Sequence, residues 1–227
     1  NNLCNSNQTR TKIYNMGQIV DIGRRIELVP MDSYFHDIAI ALYQQQTTIG
    51  PSFLVHTYSR IEDVSQRIQF VVDAMQTLGG MELTESRLLR FPCGTDHQLA
   101  CKRVFLEACK FDPMQLVESR PDTIFDKKAN CDMTVLSYGN GRYQVTANGD
   151  ESGKERRVSA ITGGLIKLGD MITVDEKNSD QVVFPCGCSH DALVGLLLVR
   201  APNVRAVARE QQMTASRGVL SSPSQQE

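Results

Sequence analysis

The residues best suited to chemistry in this chain occur as a pair of short motifs, Phe91-Pro92-Cys93-Gly94-x-x-His97 and Phe184-Pro185-Cys186-Gly187-x-x-His190. Each follows an apolar, strand-like run and precedes a stretch with helical spacing. The sequence therefore predicts a thiol at the carboxyl end of a strand and an imidazole in the first turn of the next helix. Ligands in open α/β sheets gather outside the carboxyl ends of strands. A helix N-terminus adds backbone N–H groups and partial positive charge, which favour anions and thiolates. Two of the four histidines stand in these motifs.

Four chemistries suit this pattern. The plainest, and the one favoured by its repetition, is structural: proline ends the strand, cysteine fills a small buried site and histidine bonds to backbone. A turn that maintains the fold is needed in both halves, whereas one catalytic site is enough. If the turns meet, Cys93, His97, Cys186 and His190 form a Cys₂His₂ set suited to zinc, with Cys101 and Cys188 as spare thiols; the familiar zinc-site spacings are absent. Alternatively, Cys93 or Cys186 is a nucleophile with His97, His190 or His56 as base, and Asp96 or Asp191 orienting an imidazole. Finally, the turns bind a small anionic ligand, with Gly94 and Gly187 permitting close approach and Arg60, Lys127, Lys128 or Arg142 adding charge. His56, Tyr58 and Arg60 fall on one side of a strand, a wall for a pocket or simply the wetter face of a sheet. His36-Asp37 reads as an exposed pair near a helix start.

The elements that position these motifs repeat at a constant offset. Phe53, Val55 and Thr57 alternate as a strand does, as do Tyr143, Val145 and Ala147. Ile68, Val71, Met75 and Leu78 mark one helical face; so do Val158, Ile161, Leu165 and Leu168. Glycine follows each, at Gly79 and Gly169. The expectation is an α/β sandwich with a mixed sheet, an internal duplication of a βαβα unit whose crossovers make strands parallel. The copies span 53–109 and 143–200, and a β-meander over 122–147 lies between them. Asn140-Gly141 predicts a type I′ hairpin. These parts form one pseudo-twofold domain over 24–210, after a mobile arm over 1–23 and before a disordered tail over 211–227.

Within that frame Arg25–Pro30 reads as a strand, and Phe35, Ile38, Ala39, Leu42 and Tyr43 as a helix. A last helix is expected over Val204–Gln212. The helix after Cys186 is apolar almost all round, from Ala192 to Val199, and belongs at the centre of the fold or in a homodimer interface. Its counterpart carries Lys102, Arg103 and Glu107 and belongs at the periphery.

Composition narrows the classes. A net charge of −2, with both signs interspersed, offers no basic footprint for nucleic acid. No apolar run approaches the roughly 20 residues that span a bilayer. Seven cysteines, an odd number, do not form the framework of a small secreted disulfide protein. A soluble, cytoplasmic protein with free thiols is expected. Its function is a small-ligand or active-site pocket at the Cys-Gly-x-x-His turns, of unspecified reaction. The alternatives are an oligomeric interaction protein in which the turns are packing, or a Cys₂His₂ zinc site.

Overall fold

A computed structural model of the protein describes residues 10–15, 18–30, 39–57, 63–110, 123–126, 131–149, 154–175 and 178–200. The first half of the chain forms β1 (Arg10–Asn15), β2 (Gln18–Pro30), β3 (Ala39–Thr47), β4 (Gly50–Thr57), α1 (Asp63–Gly79), β5 (Glu82–Leu83), β6 (Leu89–Arg90) and α2 (Gln98–Lys110). The second half forms β7 (Thr123–Asp126), β8 (Cys131–Gly139), β9 (Arg142–Gly149), α3 (Lys154–Gly169), β10 (Ile172–Asp175), β11 (Asn178–Val183) and α4 (Asp191–Arg200). No helix among the described residues is long and apolar enough to cross a membrane.

The class is mixed α/β, with two sheets ordered β1-β2-β3-β4-β6-β5 and β10-β11-β9-β8-β7. Apart from β1, the second order is the first read from the other edge. Three antiparallel strands lead into a long helix, a short hairpin and a second helix in each half. The meander β7–β9 thus stands to α3 as β2–β4 stands to α1.

The expected mixed sheet is corrected: every ladder among the described residues is antiparallel. The reason is the short hairpin after each long helix. β5 and β10 reverse the chain before β6 and β11 join the sheet, so these pair antiparallel with β4 and β9. A direct crossover would have made them parallel.

The helix expected through Ala39, Leu42 and Tyr43 is instead strand β3. Ile40 and Leu42 face the main core, while Ala41 and Tyr43 face a smaller cluster with Ile22 on the other side of the sheet. A strand covered on both faces reads as an unbroken apolar run, and periodicity then cannot separate it from a helix. Strand pairing also starts earlier than expected, with β1 and β2 forming an antiparallel pair inside the stretch read as an arm. The Asn140-Gly141 hairpin has the backbone its sequence predicts, with φ of 50° and 71°. The expected helix over Val204–Gln212 and the tail lie outside the described residues.

One core joins both sheets to all four helices. Ile40, Leu42, Phe53 and Val55 enter it from the first sheet, Met133, Val135, Tyr143 and Val145 from the second. α4 is central, as its apolar surface predicts: Leu193, Val194, Leu197 and Leu198 are buried, and it packs on α1, α2 and α3. α2 is not peripheral, which corrects the second expectation. Its Arg103 and Glu107 are only 2% and 8% exposed and pair at 3.6 Å within the helix. Charge counted along the sequence placed this face in solvent, but an i,i+4 pair of opposite sign can be buried together.

Candidate metal centre

Each Cys-Gly-x-x-His segment folds as a tight turn between a strand and a helix. The Gly94 N–H donates to the Phe91 carbonyl at 3.0 Å, and the Gly187 N–H to the Phe184 carbonyl at 2.9 Å. Gly94 and Gly187 have φ of 69° and 71°, in the left-handed region that favours glycine. The His97 and His190 carbonyls then accept the first helical bonds, from the N–H groups of Cys101 at 2.8 Å and Val194 at 2.9 Å. Each imidazole is thereby fixed at the start of its helix.

The sulfurs are held in the same way. The Thr95 N–H points at Cys93 Sγ and the Cys188 N–H at Cys186 Sγ, both at 3.4 Å. Within each turn the thiol meets its own imidazole: Cys93 Sγ lies 3.3 Å from His97 Nε2, and Cys186 Sγ lies 3.3 Å from His190 Nε2.

The two turns then meet. The ligand atoms of Cys93, His97, Cys186 and His190 all lie within 4.8 Å of one another. Around a tetrahedral zinc ion, with Zn–S of about 2.3 Å and Zn–N of about 2.0–2.1 Å, neighbouring donors stand about 3.3–3.8 Å apart. The four atoms fit that cage with a small contraction, and the set is two soft thiols and two imidazoles, the donors zinc prefers.

Aromatic rings wall the site. Phe91 and Phe184, nearly without solvent contact, stand edge-on to both imidazoles at centroid distances of 4.8 to 5.6 Å. His97 and His190 are 4.9 Å apart. These phenylalanines belong to both motifs, yet their residue type gives no hint of the role; their identity in the two motifs was the available signal.

Hydrogen bonds outside the cluster pin the turns. On one side the His190 N–H donates to the Tyr143 hydroxyl at 2.7 Å, and that hydroxyl donates to Asp191 at 2.8 Å. On the other, Gln44 donates to Asp96 at 2.7 Å, while Arg24 bridges Gln44 and Gln98 at 2.8 Å each. The Asp170 carboxylate, reaching over from the end of α3, accepts the N–H groups of Leu99 and Ala100 at the start of α2. The hydrogen bonds that Asp96 accepts from Gln44, and Asp191 from Tyr143 and Ser137, thus anchor the turns. Tyr143 and Asp170 were missed as site residues, because their contacts are long-range and no local spacing announces them.

Burial sets the protonation of the metal-free cluster. It lowers the His97 imidazole, with the Asp96 charge pulling the other way. It pushes His190 down to about 4, helped by the neighbouring His97 and opposed by Asp191. Both rings are therefore neutral near pH 7, the form that ligates a metal. Loss of water pushes the Cys186 thiol up to about 11, the adjacent Cys93 adding to the effect and the Cys188 N–H opposing it. A thiol so disfavoured as an anion is a poor free nucleophile at neutral pH. A dication between the sulfurs reverses that balance.

The remaining expected site residues are placed elsewhere. His56 lies on the face of β4 opposite Phe53 and stands edge-on to Tyr43, centroids 6.4 Å apart, away from the Cys/His cluster. Arg142 is solvent-exposed on β9. Tyr58, Arg60, Lys127, Lys128 and the His36-Asp37 pair lie outside the described residues. Cys101 is fully buried in α2, and Cys188 is exposed beside the cluster. A cleft of about 250 Å³ opens there, with Cys93, Cys188, Ser189, His190, Gly80 and Ala192 among its lining.

Comparison with known protein families, with curated proteins and with solved structures finds no match to this chain.

Proposed function

We propose that this chain is a zinc protein, in which one Zn²⁺ held by Cys93, His97, Cys186 and His190 ties together two copies of a single folding unit. The observation that carries the reading is the convergence of four ligand atoms to within 4.8 Å, two from each half of the chain. Four protein donors complete a tetrahedral zinc shell, the arrangement of structural sites; catalytic sites keep a position open for water. The duplication reading is supported by the shared order of strands and helices and by the matched turn geometry at Gly94 and Gly187. On this reading the ion does for the two halves what a cross-link does, because neither turn supplies more than two ligands. Elemental mass spectrometry of the purified chain tests it: one zinc per chain is expected, and none in a Cys93→Ala/Cys186→Ala variant. Zinc retained by that variant discards the assignment.

A second reading, that the cleft beside the cluster takes a small carboxylate or phosphate, is favoured by one asymmetry. The start of α2 receives the Asp170 carboxylate, whereas the corresponding neighbour of α4 is Gly80, whose Cβ position is 3.3 Å from Ala192. Titration with acetate or phosphate, followed through the amide shifts of Ser189 to Ala192, tests it. Shifts that saturate support the reading, and shifts that do not respond remove it.

A further inference from the structure

The two sulfurs and the two imidazoles of the cluster differ in exposure. Cys93 and Cys186 are partly exposed, whereas His97 and His190 are buried behind them. The sulfurs come from different halves of the chain and lie within 4.8 Å of each other. An S–S bond is about 2.0 Å, so closure asks for at most roughly 2.8 Å of combined movement. Each sulfur is followed by a glycine in the left-handed region, with no Cβ to hinder a change of backbone angle there. The cleft that reaches Cys93 is large enough for a small oxidant. Of the other free thiols, Cys188 is exposed in the same cleft, Cys101 is sealed in the core and Cys109 sits partly buried at the far end of α2.

We infer that Cys93 and Cys186 form a redox pair, oxidised by hydrogen peroxide to a disulfide that joins the two halves and expels the metal. One thiolate sulfur attacks a peroxide oxygen, the O–O bond breaks, and water leaves after protonation, giving a sulfenic acid. The second thiolate attacks that sulfur, the S–O bond breaks, and hydroxide leaves as a second water. Two thiolates and one peroxide, with two protons, become one disulfide and two waters; sulfur is oxidised and peroxide oxygen reduced. The imidazoles alone are two donors, too few for a structural zinc shell, so the ion departs. The expulsion rests on the zinc reading; the disulfide does not.

The test uses the full chain carrying Cys188→Ser, which removes the nearest competing thiol and leaves all four ligands. Stepwise hydrogen peroxide is added to the zinc-loaded and the metal-free protein. Released zinc is read with a chromogenic chelator, and cross-links by peptide mapping without reduction. The expected result is a Cys93–Cys186 cross-link in both samples, slower without the metal because its charge no longer activates the thiols, with one zinc released per chain in step with it and zinc uptake restored by dithiothreitol. Zinc retained while peroxide is consumed, or sulfinic acids without that cross-link, overturns the inference and leaves the zinc reading standing. Failure of the chain to load zinc overturns the zinc reading, and the metal-free sample then decides the disulfide by itself.

Discussion

The imidazoles of His97 and His190 stand 4.9 Å apart and inclined at 75°, each 3.3 Å through Nε2 from the cysteine of its own turn. Two buried histidines in contact have no packing advantage over the leucines and phenylalanines around them. Their burial is costly if charged, and the site keeps both neutral. Neutral rings facing two sulfurs are a donor set that could hold a metal ion.

Removing one ligand should weaken zinc binding steeply. Structural zinc binding is worth about 10–16 kcal/mol over four ligands, so His97→Ala or His190→Ala should lose roughly 2–4 kcal/mol, about 30- to 1,000-fold in affinity. Competition with a chromogenic chelator measures this. His56→Ala, on the opposite face of β4, should leave the affinity unchanged.

Tyr143→Phe should act on the site without touching a ligand. The hydroxyl accepts the His190 N–H and donates to Asp191, so its loss leaves a buried backbone N–H without this partner. The cost should be about 1–3 kcal/mol in stability. Zinc affinity should fall by up to about 10–100-fold through the loosened turn. Thermal unfolding of the metal-free chain reads the first effect and chelator competition the second.

Zinc affinity should rise with pH across the neutral range. The Cys186 thiol, pushed up to about 11, is protonated there and must lose its proton to bind, whereas His190, at about 4, is already neutral. Calorimetry at pH 7 in buffers of different ionisation enthalpy should show proton release on zinc binding, the Cys186 proton included.

The metal-free chain has its own pH signature. His190 is lowered on folding from 6.5 to about 4, so between these values the unfolded chain binds more protons than the native one. Its contribution to stability is therefore full above about pH 6.5 and is lost as the pH falls towards 4. Denaturant titrations of wild type and His190→Gln between pH 4 and 8 should differ in slope over that window.

The signature turns were legible because proline, cysteine and glycine each have a positional meaning that survives without tertiary context. That they meet was not legible, since it depends on how two sheets share one core, and no local pattern encodes that. Ile40 to Tyr43 misled because both faces of β3 are covered. Arg103 misled because charge alone was taken as exposure, while its partner Glu107 lies one turn away. The strands β5 and β6, two residues each, are too short to carry any alternation, and with them the antiparallel sheet direction was hidden.

Glycine at the turns should prove a backbone requirement. Gly94→Ala and Gly187→Ala meet no atom within 4 Å, so each should cost only the left-handed backbone, about 1–2 kcal/mol. Gly141→Ala should cost more, because its Cβ would lie 2.8 Å from the Cys188 carbonyl oxygen and must displace the loop beside Cys186. Thermal melts of the three variants give the ranking.

X-ray absorption at the zinc edge, on the zinc-loaded chain, interrogates the four-ligand cage itself. One zinc per chain is expected, with two sulfur neighbours at about 2.3 Å and two nitrogen neighbours at about 2.0–2.1 Å. A chain that takes up no zinc, or a shell of oxygen and nitrogen without sulfur, would contradict it.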